Sequence, residues 1–137
     1  MFNISKSTKH LRKIFHIGVR DFCKSELHYA QKMQYPVYDD MKIYGLGFKQ
    51  CFAEITNQLS DRYYLSIDVD GLDPSFCPNT GTPVPGGIHF SDLKYALKCL
   101  NSSGKTLIGF DVCETGPSAY DANVAARIIS LCCALFL

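Results

Sequence analysis

Two aspartates at the end of an apolar run, Asp68 and Asp70 in "YYLSIDVDG", have the type and spacing to do chemistry. If the run is a β-strand, alternate side chains share a face, so the two carboxylates lie a few ångströms apart. Carboxylates that close repel each other unless a cation or a shared proton intervenes. Oxygen ligands of this kind favour Mg²⁺ or Mn²⁺ over zinc. The two aspartates could equally cap a turn and accept hydrogen bonds from loop amides, because a DxD spacing alone is a weak signal.

The segment that follows the aspartates is rich in residues that restrict or bend the backbone. Glycines permit tight bends, and prolines fix dihedral angles and reduce the entropy that a long loop loses on ordering. These residues are Gly71, Pro74, Pro78, Gly81, Pro83 and Pro85. We therefore expect a long loop with tight bends that loses little entropy on ordering.

Composition limits the class of protein. The chain has 137 residues, 14 basic and 13 acidic side chains and a hydrophobic fraction of 47%, which fits one globular domain and gives no sign of a nucleic-acid partner. Seven cysteines without a CxxC pair, and no signal peptide, predict reduced thiols in a cytoplasmic protein. The apolar tail "IISLCCALFL" is shorter than the roughly 20 residues that span a bilayer, so we expect a buried helix and no membrane partner.

Apolar runs and helical stripes alternate along the chain, which predicts an α/β fold with a parallel sheet of βαβ units. The predicted strands, nearly continuous in hydrophobicity as if covered on both faces, span 13–20, 63–70 and 105–112. The predicted helices span 47–60, 90–104 and 121–137, the second capped by Ser91 and the third opened by Asp121. The segment 29–45 is expected to be a surface loop. Three strands are few for such a sheet, so the chain could be part of a larger domain.

The whole stretch "SIDVDGLDPSFCPNTGTPVPGG" is far more specific than its DxD. It resembles the signature of the ureohydrolase family, which includes arginase, agmatinase, guanidinobutyrase, proclavaminate amidinohydrolase and formimidoylglutamase. The upstream "HIGVRDFCKSE" and the downstream "LIGFDVCETGPSAYDANVAARI" are also similar to the family's sequences. The resemblance covers nearly the entire chain and implies the C-terminal part of an arginase-like three-layer α-β-α fold.

The resemblance implies a role for four residues. Family members hold two Mn²⁺ ions, and Asp68 and Asp70 match two of the metal ligands. Glu114 matches the acidic residue that pairs with the substrate guanidinium, and Thr82 matches a threonine that lines the pocket in arginases. Asp70 and Glu114 are the implied catalytic residues. The implied reaction is hydrolysis of a small guanidino or amidino substrate to urea and an amine by a homo-oligomer.

Two departures from the family pattern bear on this expectation. Arginases have an aspartate three residues after the arginine of the RD motif, where this chain has Cys23, whereas Glu26 matches an acidic position of that loop. Arginine, agmatine and guanidinobutyrate therefore all remain open as substrates. The GGDH-type and DAHxD motifs and the general-acid histidine of the family are not in this sequence, so we expect residues 1–137 to be the C-terminal portion of one ureohydrolase domain with an incomplete metal site.

Two other functional classes remain alternatives. The chain could be a non-catalytic ureohydrolase remnant that acts as an interaction module, or a metal-binding module that uses Asp68 and Asp70 without catalysis. Other reactive residues carry less weight. We expect His16 and His89 to be ordinary structural or surface histidines, and no histidine is placed to activate Cys77 or Cys113 as a nucleophile.

Overall fold

Short strands alternate with helices along the chain, as an α/β fold requires. The computed structural model describes residues 2–8 and 10–137. Its elements, in chain order, are α1 (Phe2–Ser7), β1 (His16–Val19), α2 (Lys24–Lys32), β2 (Val37–Asp39), α3 (Asp40–Leu46), α4 (Phe48–Gln58), β3 (Arg62–Asp68), a 3₁₀ turn (Val69–Gly71), α5 (Phe90–Asn101), β4 (Thr106–Cys113) and α6 (Ala119–Phe136).

The four strands form two separate parallel pairs in the described part of the chain. In the first pair β1 runs beside β2, with His16 opposite Val37. In the second pair β3 runs beside β4, from Arg62 opposite Thr106 to Asp68 opposite Cys113. The prediction of parallel strands is therefore confirmed, but β1 and β3 do not pair with each other. Among residues 2–8 and 10–137, each of these two strands has one edge without a partner strand.

The prediction of a surface loop over 29–45 is wrong. This segment contains the end of α2, the whole of β2 and the whole of α3. Strand β2 has only three residues, too few for a period of two to be recognised, yet its central Tyr38 is 2% exposed. Asp39, which looked like a loop residue, caps α3 because its Oδ1 accepts a hydrogen bond from Lys42 N at 2.8 Å.

Two helices begin at other residues than predicted. Helix α5 is capped by His89, whose Nδ1 accepts a hydrogen bond from Ser91 N at 3.4 Å, so Ser91 lies inside the helix. Helix α6 begins at Ala119 and is capped by Ser118, whose Oγ accepts from Asp121 N at 3.1 Å. Asp121 is therefore a residue of the first turn, and its carboxylate is available for hydrogen bonds outside the helix.

The helices cover only one face of the β3–β4 pair. Tyr63 and Ile67 of β3 are buried against α4, α5 and α6, whereas Tyr64, between them, is 57% exposed. The expectation that both faces of this strand are covered is therefore wrong for the described residues. Two apolar clusters form the core, one around Tyr38, Phe48, Phe52, Ile55 and Leu100, and the other around Ile67, Val69, Leu97, Ile128 and Cys132.

Helix α6 is the one helix of the described residues that is long and apolar enough to cross a membrane by length and composition. It packs against β4 and α5 and buries Ala125, Ile128 and Cys132, while Asn123 and Arg127 lie on its exposed side. A buried stripe opposite polar residues is typical of a helix that lies on a sheet.

Candidate functional site

Asp68 and Asp70 lie together at the carboxyl end of β3, but not for the reason that the sequence suggested. The strand ends at Asp68, and Asp70 belongs to the 3₁₀ turn, so the two do not alternate along one strand. Asp68 Oδ1 instead accepts a hydrogen bond from Asp70 N at 3.2 Å. This is the side-chain-to-backbone bond of an Asx turn, and it brings the two carboxylates to the same end of the sheet.

The surroundings of Asp68 disfavour its ionised carboxylate. Burial, and then the nearby carboxylates of Asp70 and Glu114, together raise the pKa of Asp68 to about 6, against the lowering effect of the Asp70 N–H. Desolvation and like charges both disfavour the ionised carboxylate. A cation at this position would relieve both costs.

The loop after the turn folds back on itself and delivers Thr82 to Asp70. At its base Asp73 N donates to Ile88 O at 3.0 Å, and Ile88 N donates to Gly71 O at 3.0 Å. Gly87 permits this closure, since its φ is +118° and a Cβ there would lie 2.7 Å from backbone atoms of Leu72. At the other side of the loop Thr82 Oγ1 donates to Asp70 Oδ2 at 2.7 Å. The loop therefore brings a hydroxyl group to the second of the two carboxylates.

Glu114 reaches the same site from β4. It directly follows the strand and has a φ of +58°, an uncommon value for a residue with a side chain. A Cβ on Gly81 would lie 3.6 Å from Glu114 Oε2, and the charge of Glu114 acts on Asp68. Strained backbone is often retained where a side chain must point to a functional site. The structure thus brings together all four predicted site residues: Asp68, Asp70, Thr82 and Glu114.

Arg20 supports the site in a way that the sequence did not reveal. Its guanidinium donates to Asp70 O at 2.6 Å, to Gly71 O at 3.1 Å and to Val84 O at 3.1 Å. One side chain at the end of β1 therefore fixes both the 3₁₀ turn and the loop. A lone arginine after a buried strand is the only sequence signal of this role, and its partners are backbone atoms that no sequence pattern identifies.

Asp121 is a second supporting residue that the sequence did not reveal. It is fully buried, and its Oδ2 accepts a hydrogen bond from Asn79 N at 3.2 Å. Gly116 lies against Asn79 O and Asp121 Oδ2 so closely that a Cβ has no space there. The carboxylate on α6 therefore anchors the middle of the loop that carries Thr82.

A cavity of about 750 Å³ opens beside Asp68 between β1 and α2. Its charged lining residues are Asp21, Glu26 and Asp68, and its aromatic lining residues are Phe22, Tyr29 and Tyr35. No Lys or Arg belongs to this lining in the part of the chain that the structure describes. Glu26 Oε2 accepts a hydrogen bond from Cys23 N at 2.7 Å, which lowers the pKa of Glu26. The cavity therefore has an acidic wall.

The histidines and the two nearby cysteines have the structural roles expected from the sequence. His89 caps α5 and contacts the Phe76 ring edge-on, with ring centroids 4.8 Å apart. His16 is half-buried in β1, and burial lowers its pKa. Burial raises the pKa of Cys77 and of Cys113 to about 11, so neither thiol is activated at neutral pH.

The carboxylates fit a cation site only in part. Asp68 and Asp70 offer hard oxygen ligands and lie where negative charge is in excess, which suits Mn²⁺ or Mg²⁺. Within residues 2–8 and 10–137, however, no group of three or more His, Cys, Asp or Glu side chains is arranged to hold a metal ion. Further ligands would have to come from outside these residues or from water.

Relatives of known name match the chain in sequence. Arginase-1 of Oryctolagus cuniculus is 34% identical over 111 residues, which cover 78% of this chain and 34% of that protein. N(1)-aminopropylagmatine ureohydrolase of Thermus thermophilus is 31% identical over 102 residues, which cover 74% of this chain and 34% of that protein. The chain thus spans about a third of the length of these relatives.

Solved structures match the fold. A hypothetical agmatinase from Burkholderia thailandensis superposes with a TM-score of 0.80 at 28% identity, over 98% of this chain and 42% of that one. Arginase from Bacillus caldovelox gives a TM-score of 0.78 at 26% identity, over 86% of this chain and 42% of that one. The family model described as "Arginase family" matches residues 2–136. The chain therefore belongs to the arginase family and has an arginase-like α/β fold.

Proposed function

We propose that this chain supplies one wall of a Mn²⁺-dependent ureohydrolase site, which hydrolyses a guanidino C–N bond to give urea and an amine. The observation that carries the proposal is the meeting of the Asp68, Asp70 and Glu114 carboxylates at the ends of β3 and β4, because a cation there relieves their mutual repulsion. Asp68 and Asp70 would contribute ligands to the two metal ions. When bound, such ions supply an activated water.

Within this site, Glu114 and Thr82 have distinct tasks. The Glu114 carboxylate can accept two parallel hydrogen bonds from a planar guanidinium, which orients the substrate. Thr82 donates its hydroxyl hydrogen to Asp70 Oδ2 and so fixes the direction in which the Asp70 carboxylate points. An oriented carboxylate loses less entropy on binding a cation, since its geometry is set beforehand.

The acidic cavity supports a substrate whose tail ends in an amine. Asp21 and Glu26 line it beside Asp68, and none of its described lining residues is a Lys or Arg. A carboxylate-ended tail such as that of guanidinobutyrate would be repelled by this wall, whereas the primary amine of agmatine would be attracted. We therefore favour an agmatine-like compound over guanidinobutyrate and over arginine, whose α-carboxylate meets the same repulsion.

The setting of the reaction is part of the proposal. Seven free cysteines, three of them buried and none paired, support a reducing compartment such as the cytoplasm. The exposed apolar side chains on the open face of β3 and β4, Tyr64 and Ile108, support assembly with further polypeptide, including a homo-oligomer.

The test is a urea-release assay with added Mn²⁺ on this chain, alone and together with the N-terminal part of an arginase-family relative. We expect Mn²⁺-dependent urea release with agmatine above guanidinobutyrate, lost in Asp70→Asn and reduced mainly through KM in Glu114→Gln. Asp73→Asn is the matched control, because the Asp73 carboxylate accepts a hydrogen bond from Ser75 N within its own turn. No urea from any guanidino compound in either arrangement would refute the reaction, and a preference for guanidinobutyrate would refute only the substrate.

A further inference from the structure

The guanidinium of Arg20 directs its terminal N–H groups to main-chain carbonyl oxygens. Its Nη1 donates to Gly18 O at 3.2 Å and to Gly71 O at 3.1 Å. Its Nη2 donates to Asp70 O at 2.6 Å and to Val84 O at 3.1 Å. None of these partners is a carboxylate, so Arg20 acts on the position of the backbone and not as one half of an ion pair.

One nitrogen of this guanidinium closes a circuit of contacts around Asp70. Arg20 Nη2 bridges Asp70 O and Val84 O, and Val84 lies two positions after Thr82. Thr82 Oγ1 in turn donates to Asp70 Oδ2 at 2.7 Å. The backbone of Asp70 is thus held by Arg20, and its carboxylate is held by Thr82. We call Arg20, Asp70 and residues 82–84, joined in this way, the Asp70 clamp.

The connection between the two contacts of the clamp is stiff. Pro83 lies between Thr82 and Val84, and Pro85 follows Val84. A proline ring fixes the φ angle of its own residue and restricts the residue before it. A displacement of Val84 O therefore moves the Thr82 hydroxyl with it, so the two contacts of the clamp depend on each other.

The loop returns along the Arg20 side chain. Gly86 has a φ of +85°, and a Cβ there would lie 3.5 Å from Arg20 Cδ, so the backbone runs directly over the aliphatic stem. Ile88 N then donates at 3.0 Å to Gly71 O, the same oxygen that accepts from Arg20 Nη1. The turn that carries Asp70 and the end of the loop are therefore fixed to one side chain.

This arrangement requires a guanidinium. The planar fork of arginine spreads its donors over two terminal nitrogens, whereas lysine has a single ammonium nitrogen. A lysine at position 20 would keep the positive charge but could not reach the carbonyl oxygens of Gly71, Asp70 and Val84 together. Arg20→Lys therefore separates the geometry of the clamp from its charge.

We propose that Arg20 is a positioning residue of the cation site: through the Asp70 clamp it orients the Asp70 carboxylate before a cation binds. A carboxylate that is already oriented loses less entropy on binding. Removing a group that orients a metal ligand lowers metal affinity about 10- to 100-fold. The effect on the cation rests on the function proposed above, whereas the clamp itself is a property of the metal-free chain.

Amide hydrogen exchange on the metal-free chain tests the clamp without any cation. The Asp70 amide, which is bonded within its turn, should exchange about tenfold faster in Arg20→Lys. It should do so also in Thr82→Val, which replaces an exposed residue and leaves the core intact. The Asn79 amide is the internal control, because Asp121 holds it independently of the clamp. Unchanged exchange of the Asp70 amide in either variant, or equal acceleration at Asn79, would overturn the proposal.

Calorimetric titration with Mn²⁺ alone tests the effect on the cation. Arg20→Lys and Thr82→Val should each weaken Mn²⁺ binding about tenfold. The double variant should also lose about tenfold and not about a hundredfold, because opening the circuit at one contact removes most of the effect of the other. Arg62→Lys, at the exposed first residue of β3, is the matched control and should keep the wild-type affinity.

The two experiments distinguish the failure of Arg20 from the failure of the metal site. A loss of about a hundredfold in the double variant would show that Arg20 and Thr82 act independently and would overturn the proposal. Wild-type affinity in Arg20→Lys would overturn it as well. Absence of Mn²⁺ binding by the wild-type chain would refute the metal site, and the exchange of the Asp70 amide would still decide whether Arg20 positions it.

Discussion

Replacing Asp68 by asparagine should stabilise the metal-free chain at neutral pH. The folded state raises the pKa of Asp68 from 3.8 to about 6, chiefly by burial and then through its acidic neighbours. Asparagine keeps the oxygen that accepts the Asp70 N–H and removes the charge, so the cost of ionisation disappears while the turn is preserved. The substitution thus separates the turn-capping role of Asp68 from its charge.

The size of the effect follows from linkage. A change of one in pKa corresponds to roughly 1.4 kcal/mol. The rise from 3.8 to about 6 would therefore correspond to about 3 kcal/mol for a fully buried group. Asp68 is partly exposed, so solvent screening reduces this to about 1 kcal/mol. Because the folded state binds the proton more tightly than the unfolded state, the contribution of Asp68 is fully present below about pH 4 and is lost as pH rises through about 6.

Urea unfolding of the metal-free chain at a series of pH values between 4 and 7 measures this effect. In wild type the Asp68 contribution should decline across that range, whereas Asp68→Asn should lack this component and be about 1 kcal/mol more stable at pH 7. Asp73→Asn is the matched control with the opposite sign, since hydrogen bonds from Ser75 lower the pKa of Asp73. Equal pH dependence in wild type and Asp68→Asn, or destabilisation by Asp68→Asn at pH 7, would refute the electrostatic reasoning.

Three further predictions concern residues around the carboxylates. Thr82→Val should weaken Mn²⁺ binding about tenfold, measured by calorimetry, because it removes the hydroxyl group that orients Asp70. Thr82→Ser keeps a hydroxyl group and should retain the Mn²⁺ affinity of the wild type. Equal affinities of the two variants would contradict this role. Asp121→Ala should lower the unfolding free energy by about 1–3 kcal/mol in urea, because it leaves a buried loop amide without its acceptor, and Asp121→Asn should cost less. Cys113, with its pKa near 11, should react with a thiol reagent at pH 8 about two orders of magnitude more slowly than an ordinary exposed thiol such as Cys23, and comparable rates would show that Cys113 is not shielded.

The sequence predicted which residues meet at the site better than how they meet. Residue type and spacing singled out Asp68 and Asp70, the resemblance to the family implied Thr82 and Glu114, and the structure brings the four together. The argument from strand alternation failed for Asp70, because β3 ends at Asp68 as soon as the Asp68 side chain bonds to the next turn. A side-chain-to-backbone hydrogen bond of this kind can end a strand or a helix at an Asp. The hydrophobic periodicity of the sequence gives no sign of such a bond.

Short helices and strands were the second kind of feature that could not be predicted from the sequence. Strand β2 has three residues and α3 has seven. Neither is long enough for a repeating hydrophobic pattern to be recognised among the polar residues around it. Both elements pack against β1, α3 also packs against α4, and no pattern within β2 or α3 itself indicates these tertiary contacts. The long amphipathic helices α4, α5 and α6 were found because eleven or more residues repeat one pattern.

By itself, then, the sequence determined the α/β class, the parallel strands and the pairing of Asp68 with Asp70, because these depend on local pattern and residue type. Tertiary structure alone decided that Arg20 holds the turn and the loop, that Asp121 anchors Asn79, and that a cavity separates β1 from β3. The physical reason is that each of these features joins residues more than 40 positions apart through backbone atoms or empty space. Backbone atoms are alike at every position, so only the fold determines which of them meet.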